Sequence, residues 1–589
     1  MKTILKITAA ATALTLLFSS CEKLLDSTNY MTKTTADFPS NAGEVEQMIT
    51  GIYNNLNAIQ ESNKVTWHYP WALATADECL GGDGANVSII QAADMMLKQG
   101  DGYNGVYKSR YVGIARANGA LEVLEDCSFI SEDLKNYYKG QALFLRAYYY
   151  YELASQFGNI PCPLSTVADP TLPQISGEAL WGQIMLDLKT AIKIMPSRKS
   201  DGDGHVDKYC AEALLGRVYL FYSGFYNDEV VTLPDGTDLT KAEVGGYIKD
   251  CVDNSGYSLV PDFHNLWAYS NRISLSDDLC PVKWKDKGYE YVCDDGGVNP
   301  ETMFVIKFNT QSKSDPYRRY SNQTALFIGG VRGNKQKCQN GDTFPLSYGY
   351  GNCPVSPAFV KEWEEAEPDD PRREASIMAP TDFVRGYKYG VKGDNVQETG
   401  YYQTKVMPVM GRDNNGTIRW SYLLVMYDNL SWSKDDYQYN FCDDMVLLRF
   451  AEVLLMDAEI NGNKDSFDRV RARAGLPAIA LTEENLRNER RWELAFEGLR
   501  LGDLRRYGVE YAKAALDKQE GVECYFKGKK STNHASDFNG GYGKRFEITK
   551  GFAPIPNEQL NLSAGAGEEY KFKQNAGYET ADEYTGWIE

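Results

Sequence analysis

The sequence predicts a mainly α-helical protein, built from tetratricopeptide-like helical hairpins that form one scaffold and carry a loop-rich, aromatic-rich insertion. Three observations predict this fold. Apolar residues recur at spacings of three and four in two long regions, a short pattern around an arginine repeats between helices, and a long central stretch is rich in turn-forming residues. Of the 589 residues, 43% are hydrophobic, so the chain can bury a large core.

The N-terminus has the pattern of a secretory signal, which we predict at residues 1–20. Lys2 and Lys6 precede an apolar stretch that is about half the roughly 20 residues needed to span a bilayer. Residues 17–21, LFSSC, resemble the lipobox of bacterial lipoproteins, although Phe18 departs mildly from the usual Leu. Cys21 is therefore the predicted lipid-attachment residue, and its acyl chains would anchor the protein. Ordinary secretion, with Cys21 a chance residue, is the alternative.

Residues 41–227 read as successive helices. One apolar stripe follows helical spacing, and a second lies on the adjacent face, so the helix that carries them must be covered from two sides. The first stripe comprises Leu134, Tyr138, Ala142, Leu145, Tyr149 and Leu153, and the second comprises Leu143, Ala147, Tyr150, Ala154 and Phe157. Residues 142–148, ALFLRAY, are echoed by ALLGRVY at 213–219, an offset near two tetratricopeptide periods of about 34 residues, and more distantly by LLRFA at 447–451.

The sequence predicts a loop-rich insertion between about residues 257 and 439, where Gly, Pro, Asn and Asp separate short apolar runs. This insertion is also rich in Trp and Tyr. The candidate ligand contacts here are Trp267, Trp284, Tyr289 and Tyr291, although any one of them could instead belong to the core. Helices return at residues 443–518, and the tail ends in loops.

Charge and cysteine content exclude other classes of protein. With 62 Lys and Arg against 81 Asp and Glu, the formal charge is −19, which argues against a nucleic-acid partner. Twelve cysteines include no C-x-x-C pair, which leaves a zinc or thioredoxin-like site without support. Cys280 with Cys293, or Cys338 with Cys353, could close local loops; alternatively these residues are small buried hydrophobes.

One acidic stripe is the best case for an enzyme. Glu489, Glu493 and Glu497 follow each other at four-residue spacing, which places neighbouring carboxylates about 6 Å apart, within the range that glycosidases use. Arg490, Arg491 and Arg500 interleave with them. A general acid needs a raised pKa, whereas these arginines favour ionised, paired carboxylates. The structural interpretation, a helix locked by salt bridges, is therefore preferred, and no catalytic residue is predicted.

No cofactor or metal site is predicted either. Residues 201–212 look faintly like a calcium-binding loop, but Val206 stands where a Gly is required, and Asp207 more plausibly caps the following helix. The four histidines lie far apart in the sequence, and no H-E-x-x-H motif, nucleophile elbow or phosphate loop is present.

Several stretches together resemble the SusD/RagB family of surface glycan-binding lipoproteins. The most diagnostic is NERRWELAFEGLR at 488–500, followed by Asp503 and Leu504. The others, in chain order, are the lipobox, VEQMITGIY at 45–53, ADE at 76–78, YKGQALFLRAY at 138–148, FGNIP at 157–161, LLRFAEVLL at 447–455, VRARAGL at 470–476, PIP at 554–556 and QNAGY at 574–578. Ala576 stands where the family often has Pro. The order of these stretches along one chain carries the resemblance.

The resemblance implies that residues 21–589 form a single SusD-like domain, lipid-anchored in the outer membrane and facing the cell exterior. Members of the family cover a SusC-like TonB-dependent transporter, capture oligosaccharides for it and catalyse nothing. In the family, the polar loop that follows Asp77 and Glu78 lies near the ligand face, which adds Asp83 and Asn86 to the candidate contacts; the alternative is an ordinary solvated connection. The resemblance implies that the candidates bind carbohydrate, since sugars lay their C–H faces on aromatic rings while polar groups take the hydroxyls. The alternatives are a protein-interaction scaffold, a peptide-binding uptake protein or, more remotely, a glycoside hydrolase.

Overall fold

The computed structural model describes most of the helical regions and parts of the insertion. The described residues are 38–60, 67–82, 102–197, 202–267, 289, 292, 299–308, 322–328, 350–382, 387, 389, 397–406, 411–412, 418–419, 444–526, 529–533, 540–565 and 567–578. The signal segment, Cys21, Asp83, Asn86, Trp284 and Tyr291 lie outside them, as do Cys280, Cys293 and Cys338.

The N-terminal part is a stack of helices, as predicted for residues 41–227. The helices are α1 (Ala42–Asn54), α2 (His68–Ala74), α3 (Asn104–Asp126), α4 (Glu132–Phe157), α5 (Gly177–Ile194) and α6 (Lys208–Tyr226). From α3 to α6, each helix packs against the next one along the chain. This neighbour-to-neighbour packing is typical of helical-repeat scaffolds.

Helix α4 shows why the sequence carries two apolar stripes. Ser131 caps its first turn by accepting a hydrogen bond from the backbone N–H of Leu134 at 3.3 Å, and Gly158, with φ +72°, ends it. From Gly140 to its end, every residue of α4 is buried, because α3 and α5 flank this helix. The predicted two-sided covering is confirmed.

The repeated arginine pattern marks two comparable helices. Arg146 of α4 pairs with Asp187 of α5 at 2.7 Å, and Arg217 of α6 pairs with Glu452 at 2.5 Å. Among the described residues between these two helices, α5 is the one helix. The repeat therefore advances by one helical hairpin with a long connection, and not by the two short tetratricopeptide units that its length suggested.

The described part of the insertion contains short paired strands and more helix than predicted. Its elements, with the hairpin and helix that precede it, are β1 (Val230–Thr232), β2 (Asp238–Thr240), α7 (Lys241–Asn254), β3 (Thr302–Ile306), α8 (Gln323–Ile328), α9 (Pro357–Ala366), α10 (Pro371–Ser376), β4 (Ile377–Met378), β5 (Tyr402–Gln403), β6 (Gly411–Arg412) and β7 (Ile418–Arg419). Helices α9 and α10 both begin with proline, which is preorganised for the first helical position. The many turn residues had hidden these helices.

The C-terminal part begins with a strand, β8 (Met445–Arg449), where the sequence predicted helix. This strand pairs antiparallel with β3, so Phe304 lies opposite Leu448. The tertiary pairing overrides the local helical resemblance of residues 447–451. The later elements are α11 (Phe450–Asn461), α12 (Lys464–Arg473), α13 (Glu483–Glu493), α14 (Arg500–Arg506), α15 (Val509–Leu516), β9 (Glu523–Phe526), β10 (Lys529–Thr532), α16 (Tyr542–Thr549) and α17 (Asn557–Ser563).

One hydrophobic cluster contains residues from the helical stack, the insertion and the C-terminal helices. The described cysteines are free thiols, and Cys353 is among the buried ones, in agreement with the interpretation of cysteine as a small hydrophobe. Within the described residues, none of the helices combines the length and the apolar character that crossing a membrane requires.

Candidate functional site

A buried ionic cluster holds the loop-bearing insertion against the C-terminal helices. We use the name ionic cluster for Glu301, Asp370, Arg372, Lys405, Arg449, Arg471, Arg473, Glu489, Glu493 and Glu497. The first four belong to the insertion, and the others lie at the end of β8, on α12, and on or just after α13. The insertion is thus mounted on the scaffold by charge pairs.

Arg372, at the start of α10, reaches across to α13. Its Nη1 lies 2.6 Å from Glu489 Oε1 and 2.9 Å from Glu493 Oε2, and its Nη2 lies 2.8 Å from Asp370 Oδ2. All four side chains are fully buried. Because a guanidinium offers five donors in a fixed fork, one arginine can satisfy several carboxylates at once.

Arg449, the last residue of β8, makes the second bridge. Its Nη1 lies 2.8 Å from Glu301 Oε1 and 2.6 Å from Glu493 Oε1, and its Nη2 lies 2.8 Å from Glu497 Oε1. Lys405 of the insertion adds a contact of 2.8 Å to Glu497. The β3–β8 pair and the C-terminal helix are thereby locked to each other.

The cluster keeps Glu493 and Glu497 ionised. Burial by itself would raise the pKa of Glu493, but the guanidinium groups of Arg473, Arg449 and Arg372 hold the pKa well below its usual value. The pKa of Glu497 is likewise lowered against its burial, by Arg449 and Lys405. A general acid needs the opposite shift. The salt-bridged state of this stripe is confirmed, and the strongest argument for a hydrolase is lost. The predicted partners were wrong, however, because Arg490, Arg491 and Arg500 pair with carboxylates outside the stripe.

Asp77 and Glu78, which precede the predicted polar loop, are buried. Asp77 lies 2.7 Å from both Arg491 and Arg500, while Glu78 accepts a hydrogen bond from the backbone N–H of Phe496 at 3.1 Å. Burial and the neighbouring Asp77 carboxylate raise the pKa of Glu78 to about 8. These two residues fix the point from which the chain departs toward Asp83 and Asn86.

Trp267 and Tyr289 flank the same 3₁₀ turn, Phe263–Leu266. The Tyr289 ring stacks on His264 with centroids 3.8 Å apart and planes 7° apart, and Tyr289 remains partly accessible. Trp267 is only 5% exposed and lies over the ammonium of Lys405, 4.8 Å from the ring centre. Tyr289 therefore presents a ring near the surface, whereas Trp267 supports the turn from beneath.

Sequence reasoning missed the partners that hold this turn, above all Lys405. Burial lowers the pKa of Lys405 to about 8, with Arg449 acting in the same direction and Glu497 against it. A signal was available, because three buried carboxylates need compensating cations, although α13 ends at Glu493 and Glu497 lies beyond this helix, against the prediction. The sequence offered no means of choosing which distant cations those are.

The residues that looked faintly like a calcium-binding loop, 201–212, have separate structural roles. Asp207 caps α6 by accepting a hydrogen bond from the backbone N–H of Cys210 at 2.9 Å, as predicted. Glu212 is buried 3.2 Å from Lys208. In the part of the chain that the structure describes, His, Cys, Asp and Glu side chains form no group of three that could hold a metal ion.

An apolar groove of about 670 Å³ opens between α3, the segment 161–172 and α17. Tyr111, Pro163 and Phe572 contribute to its lining. Val167 and Leu562, also in the lining, are 77% and 69% exposed. Exposed apolar side chains at a groove are typical of contact sites for other macromolecules and of ligand-binding grooves.

The fold and the site together define a class of protein: a helical-repeat scaffold with a loop-bearing insertion that a buried ionic cluster holds in place. Two family models match the chain. One, described as starch-binding and associating with the outer membrane, covers residues 23–220, and the other, described as the SusD family, covers residues 356–578. The protein belongs to the SusD family, the relationship that the sequence motifs indicated.

A SusD-like protein of Bacteroides ovatus is 27% identical over 195 residues, which is 32% of this chain and 34% of the relative, so the match spans about a third of that protein's length. Among solved structures, surface glycan-binding protein A of Bacteroides fluxus has a TM-score of 0.67 at 21% identity, covering 92% of this chain and 100% of the other.

Two further structures are similar over 91% of this chain and 100% of theirs. A laminarin-binding SusD-like protein has a TM-score of 0.63 at 22% identity. Surface glycan-binding protein A of Bacteroides thetaiotaomicron, in complex with laminarihexaose, has a TM-score of 0.62 at 17% identity. At these identities, the comparisons establish the shared fold.

Proposed function

We propose that this protein is a lipid-anchored receptor on the outer surface of the outer membrane, which captures oligosaccharides and delivers them to a SusC-like TonB-dependent transporter. The observation that carries the proposal is membership of the SusD family through both the helical stack and the C-terminal helices. Structures of the same fold, matched over nearly their whole length, include proteins whose titles name laminarin or laminarihexaose.

The ligand face that we propose is the set of loops mounted on the ionic cluster. Tyr289 offers a ring beside the 3₁₀ turn. Trp284 and Tyr291, close to Tyr289 in the sequence, remain candidate contacts, as do Asp83 and Asn86, which follow Asp77 and Glu78. Trp267 acts through the turn that it supports. In this role, stacking and paired hydrogen bonds hold a saccharide, and no cleavage step is part of the role.

Isothermal titration of the mature protein against a panel of neutral oligosaccharides that includes laminarihexaose tests this function. We expect binding to at least one member of the panel, weakened by Tyr289→Ala, with no new reducing ends formed during long incubation. Silence across a broad panel would count against a saccharide ligand, and release of reducing ends would count against a receptor without catalysis.

The anchor has its own test. Cells fed radiolabelled palmitate should yield a labelled mature protein, and Cys21→Ala should remove both the label and the membrane association, because the acyl chains supply the anchoring free energy. An unlabelled wild-type protein would point to ordinary secretion.

For the transporter, we expect the apolar groove to be the docking surface. Val167→Glu and Leu562→Glu place charges on exposed apolar positions and should abolish co-purification with the barrel while leaving oligosaccharide affinity unchanged. Exposed positions tolerate such changes without loss of folding. Undiminished co-purification would move the docking surface elsewhere.

A further inference from the structure

A second, polar pocket lies on the helical scaffold. We call it the scaffold pocket. It has a volume of about 360 Å³, within the range of small-molecule sites, and it is formed by the last turn of α6, the first turns of α7 and α13, and α14. Its charged lining consists of three acidic and three basic side chains: Glu229, Lys241, Glu459, Glu483, Arg487 and Arg506.

The floor of the scaffold pocket is preformed. Gly224 of α6 lies so close to α14 that a Cβ at this position would come within 2.6 Å of the Arg506 carbonyl oxygen. Arg506 itself is held by Glu459, with Nη2 to Oε2 at 2.9 Å, and by Asp503 at 2.8 Å. A ligand therefore meets a rigid floor whose charges are already paired, which reduces the ordering cost of binding.

The rim of the scaffold pocket is held loosely. Lys241 and Glu229 lie 3.7 Å apart with side chains 46% and 72% exposed, and Arg487 pairs with Glu483, whose side chain is 76% exposed. Exposed ion pairs contribute little stability. Nε of Arg487 is buried without a hydrogen-bond partner among the described residues. Lys241, Glu229 and Glu483 can therefore exchange their partners for a ligand at small cost. Arg487 is held more firmly, since its guanidinium also lies over the Tyr507 and Tyr511 rings.

The arrangement selects a neutral ligand that both donates and accepts hydrogen bonds. Carboxylates accept from hydroxyl groups, while an ammonium or guanidinium donates to them. An anion would face three carboxylates, and a cation would face three basic groups. The Tyr507 ring has guanidinium groups at 4.3 Å and 4.5 Å from its centre, from Arg487 and Arg506. Because these guanidinium groups already lie over the ring, recognition rests on hydrogen bonds to the hydroxyl groups of the ligand and not on stacking.

We propose that the scaffold pocket is a second saccharide site, which binds a neutral mono- or disaccharide unit independently of the loop face. The proposal rests on the proposed receptor function and extends it. A glycan held at both places would gain avidity from the second contact without any change in the first.

Hydrogen–deuterium exchange of the mature protein localises the binding. Probes are glucose, galactose, mannose, N-acetylglucosamine, laminarihexaose and glucuronate. We expect a neutral probe to slow exchange at residues 483–493. The double substitution Lys241→Gln with Glu483→Gln should raise the probe concentration needed for half of this protection about tenfold, because charge-assisted hydrogen bonds to the ligand are lost. Lys249→Gln with Asp253→Asn is the matched control, because it removes an exposed ion pair of α7 that lies outside the pocket lining.

The outcomes separate this proposal from the receptor function. If laminarihexaose or another neutral probe binds but leaves residues 483–493 unprotected, the scaffold pocket is not a saccharide site and the receptor function stands. If Asp83→Ala with Asn86→Ala abolishes the protection of 483–493, the two places are not independent and the proposal is wrong. Stronger protection by glucuronate than by glucose would also overturn it, since the pocket would then prefer an anion.

Discussion

The helical hairpins between residues 104 and 226 and the ionic cluster are both buried, yet different interactions hold them together. In the hairpins, each helix packs on its neighbour in sequence, and the ion pair between Arg146 and Asp187 links positions 41 residues apart. In the ionic cluster, Arg372 and Glu489 are 117 residues apart. The first region is stabilised mainly by shape and apolar area, and the second by charges that compensate one another across the chain.

This difference teaches where each region is vulnerable. Apolar packing degrades gradually, since a changed side chain costs transfer and packing free energy at one place. A buried charge network fails more abruptly, because removing one member leaves its partners unpaired in a region of low dielectric constant. The loops that carry the proposed ligand face are mounted on the second kind of region.

The largest effect should come from Arg449→Met. The change removes the cation that bridges Glu301, Glu493 and Glu497, and leaves these carboxylates buried without it. We expect the free energy of unfolding to fall by about 3–5 kcal/mol, measured by urea denaturation. Lys464→Met, which removes only an exposed pair with Asp468, should change it by less than about 0.5 kcal/mol. Equal effects of the two substitutions would contradict the comparison.

A packing defect in the hairpins should cost less. In Gly113→Ala, the new Cβ would lie 2.5 Å from the Tyr149 ring, so α3 and α4 must move apart, at about 1–3 kcal/mol. Gly119→Ala on the same helix has its nearest neighbour at 3.5 Å and should instead stabilise the protein by up to about 1 kcal/mol. Thermal denaturation of both variants checks the opposite signs. Destabilisation by both would mean that helix spacing does not decide the outcome.

The comparison also bears on what the sequence could predict. The stripes on α4 predicted its burial on two sides, and the position of Asp207 predicted a helix cap, because helical spacing and capping are local properties. Strand β8 was not predicted, since its conformation depends on pairing with β3. The identity of Arg372 and Lys405 as partners of α13 was equally invisible, because a contact across about a hundred residues leaves no mark on local spacing.

The candidate site was predicted in the same uneven way. The ionised state of Glu493 followed from the neighbouring arginines in the sequence, although the arginines that lower its pKa are Arg473, Arg449 and Arg372, which lie elsewhere in the chain. The chemistry of Trp267 suited a sugar platform, but a residue type does not reveal which side of a loop faces the core. Tyr289 stays a predicted contact, as do the candidates beyond the described residues.

Titration of the buried Glu78 carboxyl, which lies outside the ionic cluster, should make the stability of the protein depend on pH. The pKa of Glu78 is about 8 in the folded protein against 4.5 ordinarily, so the folded state keeps a proton that the unfolded chain has released between these values. This contribution to stability is complete below pH 4.5 and is lost as the pH rises to 8, by at most about 1.4 kcal/mol per pH unit. Glu78→Gln, followed by denaturation at several pH values, should flatten that decline.

Titration of Lys405 should change the stability in the opposite direction, between pH 8 and 10.5, and so serves as a check. Its pKa is about 8 in the folded protein against 10.5 ordinarily, so the folded state releases its proton first, and stability should rise from pH 8 to 10.5. Lys405→Met should remove this rise and leave the decline below pH 8 unchanged. Glu212, whose pKa burial also raises to about 8, should leave its own decline in Glu78→Gln, so a decline as steep as that of the unchanged protein would contradict the assignment to Glu78.

The smallest effect should be the same in both regions, because helix capping is local. Ser131 and Thr482 each accept a hydrogen bond from a backbone N–H in the first turn of their helices, α4 and α13, at 3.3 Å and 3.2 Å. Replacing either residue by Ala should cost about 1 kcal/mol of unfolding free energy in urea denaturation, and Thr482→Ser should restore most of the loss. If Thr482→Ala cost several times more unfolding free energy than Ser131→Ala, the start of α13 would be coupled to the ionic cluster. The cluster would then extend further along that helix than its contacts indicate.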